Sequence, residues 1–446
     1  MKIKLPQKAT RLIAKFKKHG FECYLVGGFL RDQLLDRPTP AKALDFTTNA
    51  TPEEMLEIFK EAKYENKFGT VLIPNEDQDY FEVTTYRTEK EYSDARHPDT
   101  VKWGNSLFED LTRRDFTINA FATNGETLID RFGGINDLEK KLIRAIGNPE
   151  QRFREDALRL LRAVRFASQL GFLIEPKTLQ SIKELSGQLE KISAERIRDE
   201  FLKILASDEP AGGVLLLKET GLLNTILPEL LAAFKIGQLS PERHHIYDVG
   251  MHLIYTLKNC RNNDPIVRLA CLLHDIGKIK TRKVNEKGVV TFYNHEIVGT
   301  EMVYEIGNRL KLSRKQLHKL TKLVRFHQFS VTEEQTDSAV RRFIRNIGTE
   351  YLEDIVDLRT ADRIGSGARP SSWRTELFLK RLHEVQEKTF SLNDLKVDGH
   401  DVMKILKLKP GRKVGEILQE LFEKVNQEKL ANNRSQLLQE LKKVKV

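Results

Sequence analysis

The sequence predicts an α+β chain, with a small mixed α/β head in front of a long helical body. Three observations carry this. Short β-branched and aromatic stretches at 24–26, 44–47 and 80–86 (YFEVTTY) alternate with helical segments in the first 140 residues. After Asp137 apolar residues recur at helical spacing. Beyond about residue 150 only one stretch, roughly 282–293 (RKVNEKGVVTFY), reads as a hairpin.

Taken in order, MKIKLPQKATRLIAKF reads as a short amphipathic helix. It has neither an apolar h-region nor a cleavage site, so no signal peptide is expected. Tyr24-Leu25-Val26 is a strand, Gly27-Gly28 a turn, and a helix starts at Phe29. Thr51 caps the next helix, with Pro52 at its first position. The stretch 87–98 (RTEKEYSDARHP) is polar, follows neither period, and reads as a mobile loop. FREDALRLLRAVRFASQLGF reads as one helix with arginines on one side.

A chain of 446 residues is long enough for about two to four domains, each with its own core. No run approaches the roughly 18 apolar residues of a membrane span, so no membrane partner is expected. The net charge of +10, from 74 basic and 64 acidic side chains, favours a polyanionic partner through counterion release. Cys23, Cys260 and Cys271 sit in apolar surroundings without a CxxC pair, which predicts buried free thiols and a cytoplasmic location.

Leu25-Val26-Gly27-Gly28-Phe29-Leu30-Arg31-Asp32 is strand, two glycines, then helix. Glycine lets backbone approach a phosphate closely, and a helix start offers free amide donors. Arg31 can pair with a phosphate. Alone, this pattern is also that of any tight turn. Lys42-Ala43-Leu44-Asp45-Phe46-Thr47-Thr48 follows as a short strand. A phosphoryl-transfer site holding two Mg²⁺ ions calls for carboxylates two residues apart on one strand face. Asp45 supplies one, and the other position is Ala43.

LVGGFLRD, LDFTTNATPEE, FEVTTYRTEKEYSDARHP, DLTRRDFTINAFA, DRFGGINDLEKKLIRAIGNP and RFREDALRLLRAVRFASQLGF run in order through residues 24–173. Together they resemble the class II tRNA nucleotidyltransferases and the related poly(A) polymerases, of the beta-type polymerase superfamily. LKVDGHDVMKILKLKPGRKVGEILQEL extends the likeness towards the C-terminus. The resemblance implies that Gly27, Gly28 and Arg31 contact the nucleotide triphosphate. It implies that Asp45 is the second carboxylate of an Asp-x-Asp pair holding Mg²⁺, with Glu82 the third acidic group near the metals. Arg113, Arg114 and Asp115 would read ribose and triphosphate. Glu155, Asp156 and Arg159 form an EDxxR element, in which Asp156 and Arg159 select C or A. Arg162 and Arg165 continue that stripe. Independently, Glu155, Arg159 and Arg162 at i, i+4 and i+7 share a helical face, with Asp156 on its flank.

The family places an aspartate where this chain has Ala43. Its loss implies a severe drop in transfer rate with binding of nucleotide and RNA kept. A deliberate change and natural drift are both open; the intact motifs elsewhere point to a recent or engineered one. The segment EKEYSDARHPDTVKW and the C-terminal likeness favour CCA addition from CTP and ATP over A-adding or poly(A) activity. A non-catalytic RNA-binding protein is the alternative of another class.

A second constellation follows. His252 lies in DVGMHLIYTL, His274-Asp275 in LACLLHDIGKIKTR, His295 in FYNHEIVGTEM, His327 in LVRFHQF and Asp362 in LRTADRIGSG. This series resembles the HD phosphohydrolases, with His252, His274, Asp275 and Asp362 as implied ligands. His295 and His327 would complete a second metal position or orient phosphate. Imidazoles and carboxylates suit a divalent transition metal, Mn²⁺, Ni²⁺ or Co²⁺. Phosphatase or 2′,3′-cyclic phosphodiesterase activity is the implied chemistry, and a metal scaffold without turnover is the alternative. The expected division is a head over 1–140, a neck and body over 141–240 for base selection and tRNA binding, an HD domain over 241–368 and a helical tail over 369–446. The expected partner is the tRNA acceptor arm, cradled by shape and phosphate contacts. Lys311, Arg314, Lys315 and the Arg341-Arg342 pair are candidate contacts.

Overall fold

Apolar residues at positions 9, 12, 13 and 16 give helix α1 (Gln7–Lys18) one buried stripe, as its sequence predicts. The computed structural model describes residues 3, 5–38, 44–66, 69–90, 100–104, 106–238, 247–286, 288–329, 336–387, 392–426 and 429–444. Ala43 therefore lies outside the described residues, as does 91–98 of the expected loop. The chain divides into two compact units, 1–329 with 350–370 and 330–349 with 371–446.

In chain order the head continues with β1 (Cys23–Val26), α2 (Gly28–Leu34), β2 (Asp45–Thr48), α3 (Pro52–Ile58), β3 (Lys63–Asn66), β4 (Thr70–Pro74) and β5 (Tyr80–Thr85). Then come β6 (Arg87–Lys90), β7 (Thr100–Trp103), α4 (Leu107–Thr112), β8 (Phe121–Thr123), β9 (Leu128–Asp130) and α5 (Gly134–Glu139). Seven strands form one sheet in the order β3-β4-β5-β2-β1-β8-β9. Only β2 and β5 pair in parallel among its neighbours. Leu25, Phe46, Val71 and Val83 are buried in the sheet core. The Thr51 hydroxyl accepts from the Glu54 amide at 3.3 Å, and the Glu54 carboxylate accepts from the Thr51 amide at 2.8 Å, so α3 starts at a closed capping box with Pro52 first.

Three sequence expectations need correction. Residues 87–90 are a strand paired antiparallel with β7, not the start of a loop. The segment after Asp137 is not wholly helical: β10 (Leu142–Ile143) pairs in parallel with β11 (Leu173–Ile174). FREDALRLLRAVRFASQLGF is not one helix. It breaks into α6 (Pro149–Glu155) and α7 (Leu158–Leu170), because Asp156 adopts the extended region, φ −144° and ψ 104°. The Asp156 carboxylate instead accepts from the Leu158 amide at 3.0 Å, the local bond by which Asp competes with a continuing helix.

The first unit continues through α8 (Pro176–Leu185), α9 (Ala194–Leu205) and further helices, interrupted by β12 (Lys283–Val284) and β13 (Val290–Thr291). That hairpin falls where the sequence predicts it, with only two residues paired on each arm. Cys23, Cys260 and Cys271 are buried and unbridged. Among the described residues, no helix is long and apolar enough to cross a membrane.

In the second unit, helices Asp337–Ile347 and Trp373–Glu387 meet through Phe343 and Phe378, with ring centroids 5.3 Å apart. A separate core of Leu395, Val402, Val414, Leu421, Leu437 and Leu441 joins helices Gly399–Leu406, Arg412–Asn426 and Arg434–Leu441.

Candidate functional site

The first constellation forms at the edge where β1 hands over to α2. Gly27 has φ +81°, a conformation that favours glycine. A side chain there would lie 3.6 Å from both Arg114 Nη1 and Asp45 Oδ2, so turn, carboxylate and guanidinium already adjoin. A cavity of about 470 Å³ is lined by Gly27, Gly28, Arg31, Asp45, Arg113, Arg114, Asp115, Asp156, Arg159, Arg162 and Arg165, joined by Asn119, Leu158, Phe166 and Arg196. Glu82 is not in that lining but stands beside Asp45 in register across the β2–β5 pair. Glu155 also lies outside the lining; its carboxylate accepts from Arg152 at 2.8 Å and Arg159 at 2.7 Å.

Each cation of the cavity is held by a carboxylate. Arg31 donates to both Asp32 oxygens, at 2.8 and 2.9 Å, and to Asn119 at 2.8 Å. Arg113 and Arg114 donate to the fully buried Asp110, at 2.7 and 3.3 Å. Arg162 donates to Asp115 at 2.7 Å through Nε, and Arg165 to Glu200 at 3.0 Å. Burial works to raise Asp115, but Arg162 and Asn119 outweigh it and hold its carboxyl at about 2. Burial lowers Arg165 to about 10, with Arg162 adding to the shift. Asp45 moves the other way: the surrounding protein raises its pKa, and Arg114 draws it partly back. Glu82 is raised by desolvation and by Asp45.

The break between α6 and α7 shapes the surroundings of Asp156 and Arg159. Three of the five donors of Arg159 are taken, by Arg152 O at 3.0 Å, Glu155 Oε2 at 2.7 Å and Arg113 O at 2.8 Å. Asp156 is held by the Leu158 amide and by Arg196 at 3.0 Å. A fixed acceptor and a fixed donor therefore face one cavity, three residues apart in sequence.

The second constellation converges from five segments of the same unit. His252 sits on helix Val249–Lys258, His274-Asp275 close helix Pro265–Leu273, His295 opens His295–Arg309, His327 follows Arg314–Phe326, and Asp362 lies on Leu352–Gly365. His252 Nε2 lies 3.2 Å from His274 Nε2, 3.3 Å from Asp275 Oδ2 and 3.2 Å from Asp362 Oδ1. On the other side of Asp275, Oδ1 faces His295 Nε2 at 3.1 Å and His327 Nε2 at 3.6 Å. Asp275 thus joins two groups of donors.

These residues fit a divalent metal. The Nδ1 atoms of His274, His295 and His327 meet the carbonyls of Cys271, Phe292 and Val324 at 3.0, 2.7 and 2.7 Å. Those bonds place the proton on Nδ1 and turn the Nε2 lone pair inward. The buried Nε2 atoms of His295 and His327 have no hydrogen-bond partner. The ligand atoms of His252, His274 and Asp362, and those of His274, Asp275 and His327, lie within 4.8 Å of one another in each group. Burial lowers His274, yet Asp275 and Asp362 push it up to about 10. A dication would replace the protons that such a crowded set otherwise gathers.

Comparison with known proteins identifies the family. Residues 23–144 match the family described as Poly A polymerase head domain. Residues 171–234 match the probable RNA and SrmB- binding site of polymerase A, and 290–441 match tRNA nucleotidyltransferase domain 2. A CCA-adding enzyme of Ligilactobacillus salivarius is 34% identical over 98% of this chain and 96% of that protein. The chain belongs to the CCA-adding enzyme family. The CCA-adding enzyme of Enterococcus faecalis is 51% identical over 48% of the chain. That alignment spans about half, 52%, of the relative's length. The crystal structure of the Bacillus stearothermophilus CCA-adding enzyme in complex with CTP matches with a TM-score of 0.65 and 29% identity, over 98% of this chain and 97% of that one.

Some residues that shape the cavity in this member of the CCA-adding enzyme family were not singled out in the sequence. Asp110, Asn119, Phe166, Arg196 and Glu200 all hold or line the arginine set. DLTRRD offered one signal: Asp110 lies three and four residues before Arg113 and Arg114, helical pairing distance. Arg196, 40 residues from Asp156, offered none.

Proposed function

We propose that this chain is a template-independent tRNA nucleotidyltransferase that adds C and A to tRNA 3′ ends from CTP and ATP. The observation that carries the reading is one cavity lined together by Asp45, the Gly27-Gly28 turn, the arginine set, and Asp156 with Arg159. Arg31, Arg113, Arg114 and Arg162 offer charge to a triphosphate. Asp156 and Arg159, fixed by Arg196 and by three acceptors, offer a base the edge that a template would otherwise offer. Asp45 and Glu82 are the carboxylates positioned to hold Mg²⁺. A Mg²⁺ held by Asp45 and Glu82 would supply charge to neutralise the triphosphate and to acidify the attacking 3′-hydroxyl.

Residues 1–140 act in this reading as the catalytic head, 141–240 as neck and body, 241–368 as the metal-binding domain and 369–446 as a tRNA-binding tail. With Ala43 in place of the first carboxylate of the pair, transfer is slowed while binding persists. The test is incorporation of each nucleotide separately into tRNA ending before its final A, and into tRNA lacking CCA, by the chain and by Ala43→Asp. Ordered C, C, A addition supports the reading. Addition of A alone favours an A-adding enzyme, unlimited A a poly(A) polymerase, and binding without transfer by either protein an RNA-binding homologue.

The His252, His274, Asp275, His295, His327 and Asp362 cluster favours a second reading, a metal-dependent phosphohydrolase acting on RNA-end or cyclic phosphates. Mn²⁺, Ni²⁺ or Co²⁺ would suit these donors and would supply a nucleophilic water near neutral pH. Hydrolysis of 2′,3′-cyclic AMP with each metal tests it. Metal bound without turnover would leave a scaffold.

A further inference from the structure

Phe166, on α7, lines the cavity of Gly27 and Asp45 and is only 5% exposed. Packing ordinarily explains a buried phenylalanine, and it explains one contact here. The ring meets the fully buried Phe116 edge to face, with centroids 5.7 Å apart at 82°. Its other neighbours are cations. The guanidinium carbons of Arg165, Arg31 and Arg162 lie 4.3, 5.1 and 5.3 Å from the ring centroid. All three arginines line the same cavity.

Two elements bring them to the ring. On α7, Arg162 stands one helical turn before Phe166, and Arg165 is its neighbour in sequence. Arg31 comes from α2, beside the glycine turn: a side chain on Gly28 would meet its Nη2 at 3.5 Å. Arg31 donates to Asn119 at 2.8 Å, Asn119 to Asp115 at 3.2 Å, and Arg162 to Asp115 at 2.7 Å, so these two cations share one chain of hydrogen bonds. Arg165 stands outside that chain. It donates to Glu200 at 3.0 Å, and its buried Nε has no hydrogen-bond partner among the described residues. Arg165 is also the closest of the three to the ring.

Three like charges at one ring repel, and burial thins the water that would screen them. The negative face of an aromatic ring offsets part of that cost, most strongly where the cation is desolvated. A further carboxylate would offset it too, but would occupy N–H donors and cancel positive charge. The ring does neither. We propose that Phe166 is a positioning residue for an incoming polyphosphate: its ring gathers Arg31, Arg162 and Arg165 into one cationic wall and leaves their charge to the phosphates. This rests on the nucleotidyltransferase reading given above, which supplies the triphosphate. Phe166 does no chemistry and acts through the three arginines.

The experiment uses the full chain with phenylalanine, a monofluorinated or a trifluorinated phenylalanine at position 166. Fluorine withdraws charge from the ring face and nearly preserves its shape. Calorimetry at one Mg²⁺ concentration measures binding of CTP, of ATP and of inorganic tripolyphosphate, which has no base to stack. The Kd for tripolyphosphate should rise stepwise along the series, to about 10-fold for the trifluorinated ring, the scale of one desolvated cation–π contact. The Kd for CTP should rise by the same factor. A ring that only fills space would leave both values level, and that result overturns the proposal. A rise for CTP with none for tripolyphosphate also overturns it, because the ring then serves the base. No saturable binding of tripolyphosphate by the unaltered chain overturns it as well. Tripolyphosphate binding that responds to fluorine, in a chain that binds neither CTP nor ATP, supports the arginine wall and overturns the nucleotidyltransferase reading instead.

Discussion

Asp45 and Glu82 stand side by side in register on the parallel strands β2 and β5. Desolvation raises the pKa of each above the usual carboxylate range, and Asp45 raises Glu82 further. Two carboxylates that resist ionising together are a natural seat for a cation, since a dication relieves both the repulsion and the desolvation.

Position 43 lies two residues before Asp45 in the sequence. Ala43→Asp should raise the rate of CTP and ATP incorporation by at least about 100-fold, the scale of removing one electrostatic stabiliser of a transition state. Single-turnover kinetics at saturating Mg²⁺ measure this. A rate unchanged by the substitution means that the defect lies elsewhere or that there is none.

Arg196 touches no expected chemistry but grips Asp156 at 3.0 Å. On the proposed role of Asp156 in base selection, Arg196→Ala should narrow the preference for the correct over the incorrect nucleotide by roughly 10-fold, the scale of one hydrogen bond to a charged group. Competition between CTP and ATP, or against UTP, reads that ratio. A fall in rate with selectivity untouched would assign Arg196 to stability alone.

Asp115 titrates at about 2 in the folded chain, against an ordinary value of 3.8. A depressed carboxylate stabilises the fold above its unfolded pKa and loses that contribution as pH falls through the folded one. The shift corresponds to about 2 kcal/mol. Urea titrations of the chain and of Asp115→Asn should therefore differ by that order at pH 6, with the gap closing between pH 4 and pH 2. A gap independent of pH would mean that packing, not charge, sets the difference.

Metal loading should stabilise the unit that carries His274 and Asp275. At a hundredfold excess over Kd, Mn²⁺ contributes roughly 3 kcal/mol to the folded state. Differential scanning fluorimetry should show a transition that rises with Mn²⁺, falls with chelator, and stops responding in Asp275→Ala. Because Asp275 and Asp362, against the effect of burial, hold His274 at about 10, a bound metal would displace protons there. Loading should accordingly strengthen as pH rises and weaken as it falls. A melting transition indifferent to metal in the unaltered chain contradicts the assignment.

The parts of this molecule legible in sequence were those whose cause is local. The Gly27 turn, the Thr51-Pro52 helix start and the buried stripe of α1 each depend on neighbours within a few residues. The gathering of His252, His274, Asp275, His295, His327 and Asp362 was legible too, because the LLHDIGK context and the later His and Asp resemble one known series. What escaped depends on distant partners. Helical periodicity runs unbroken through 152–170, yet Asp156 leaves the helix because Leu158 and, 40 residues away, Arg196 satisfy its carboxylate. The pairing of β6 with β7 escaped for another reason: β6 is RTEK, wholly polar, so no apolar alternation marks it as a strand. β10 and β11 are two residues each, too short for any period to register.

The interruption at Asp156 has a mechanical consequence. α6 packs on α8, and α7 on α9, so the two halves of the EDxxR element answer to different supports. The Glu155–Arg159 ion pair is the bolt across that joint. A small tilt of one helix against the other would alter the gap between acceptor and donor without changing any atom of either. On the proposed role of that element, substitutions on the far sides of α8 or α9 would then retune which base is accepted, from positions outside the cavity.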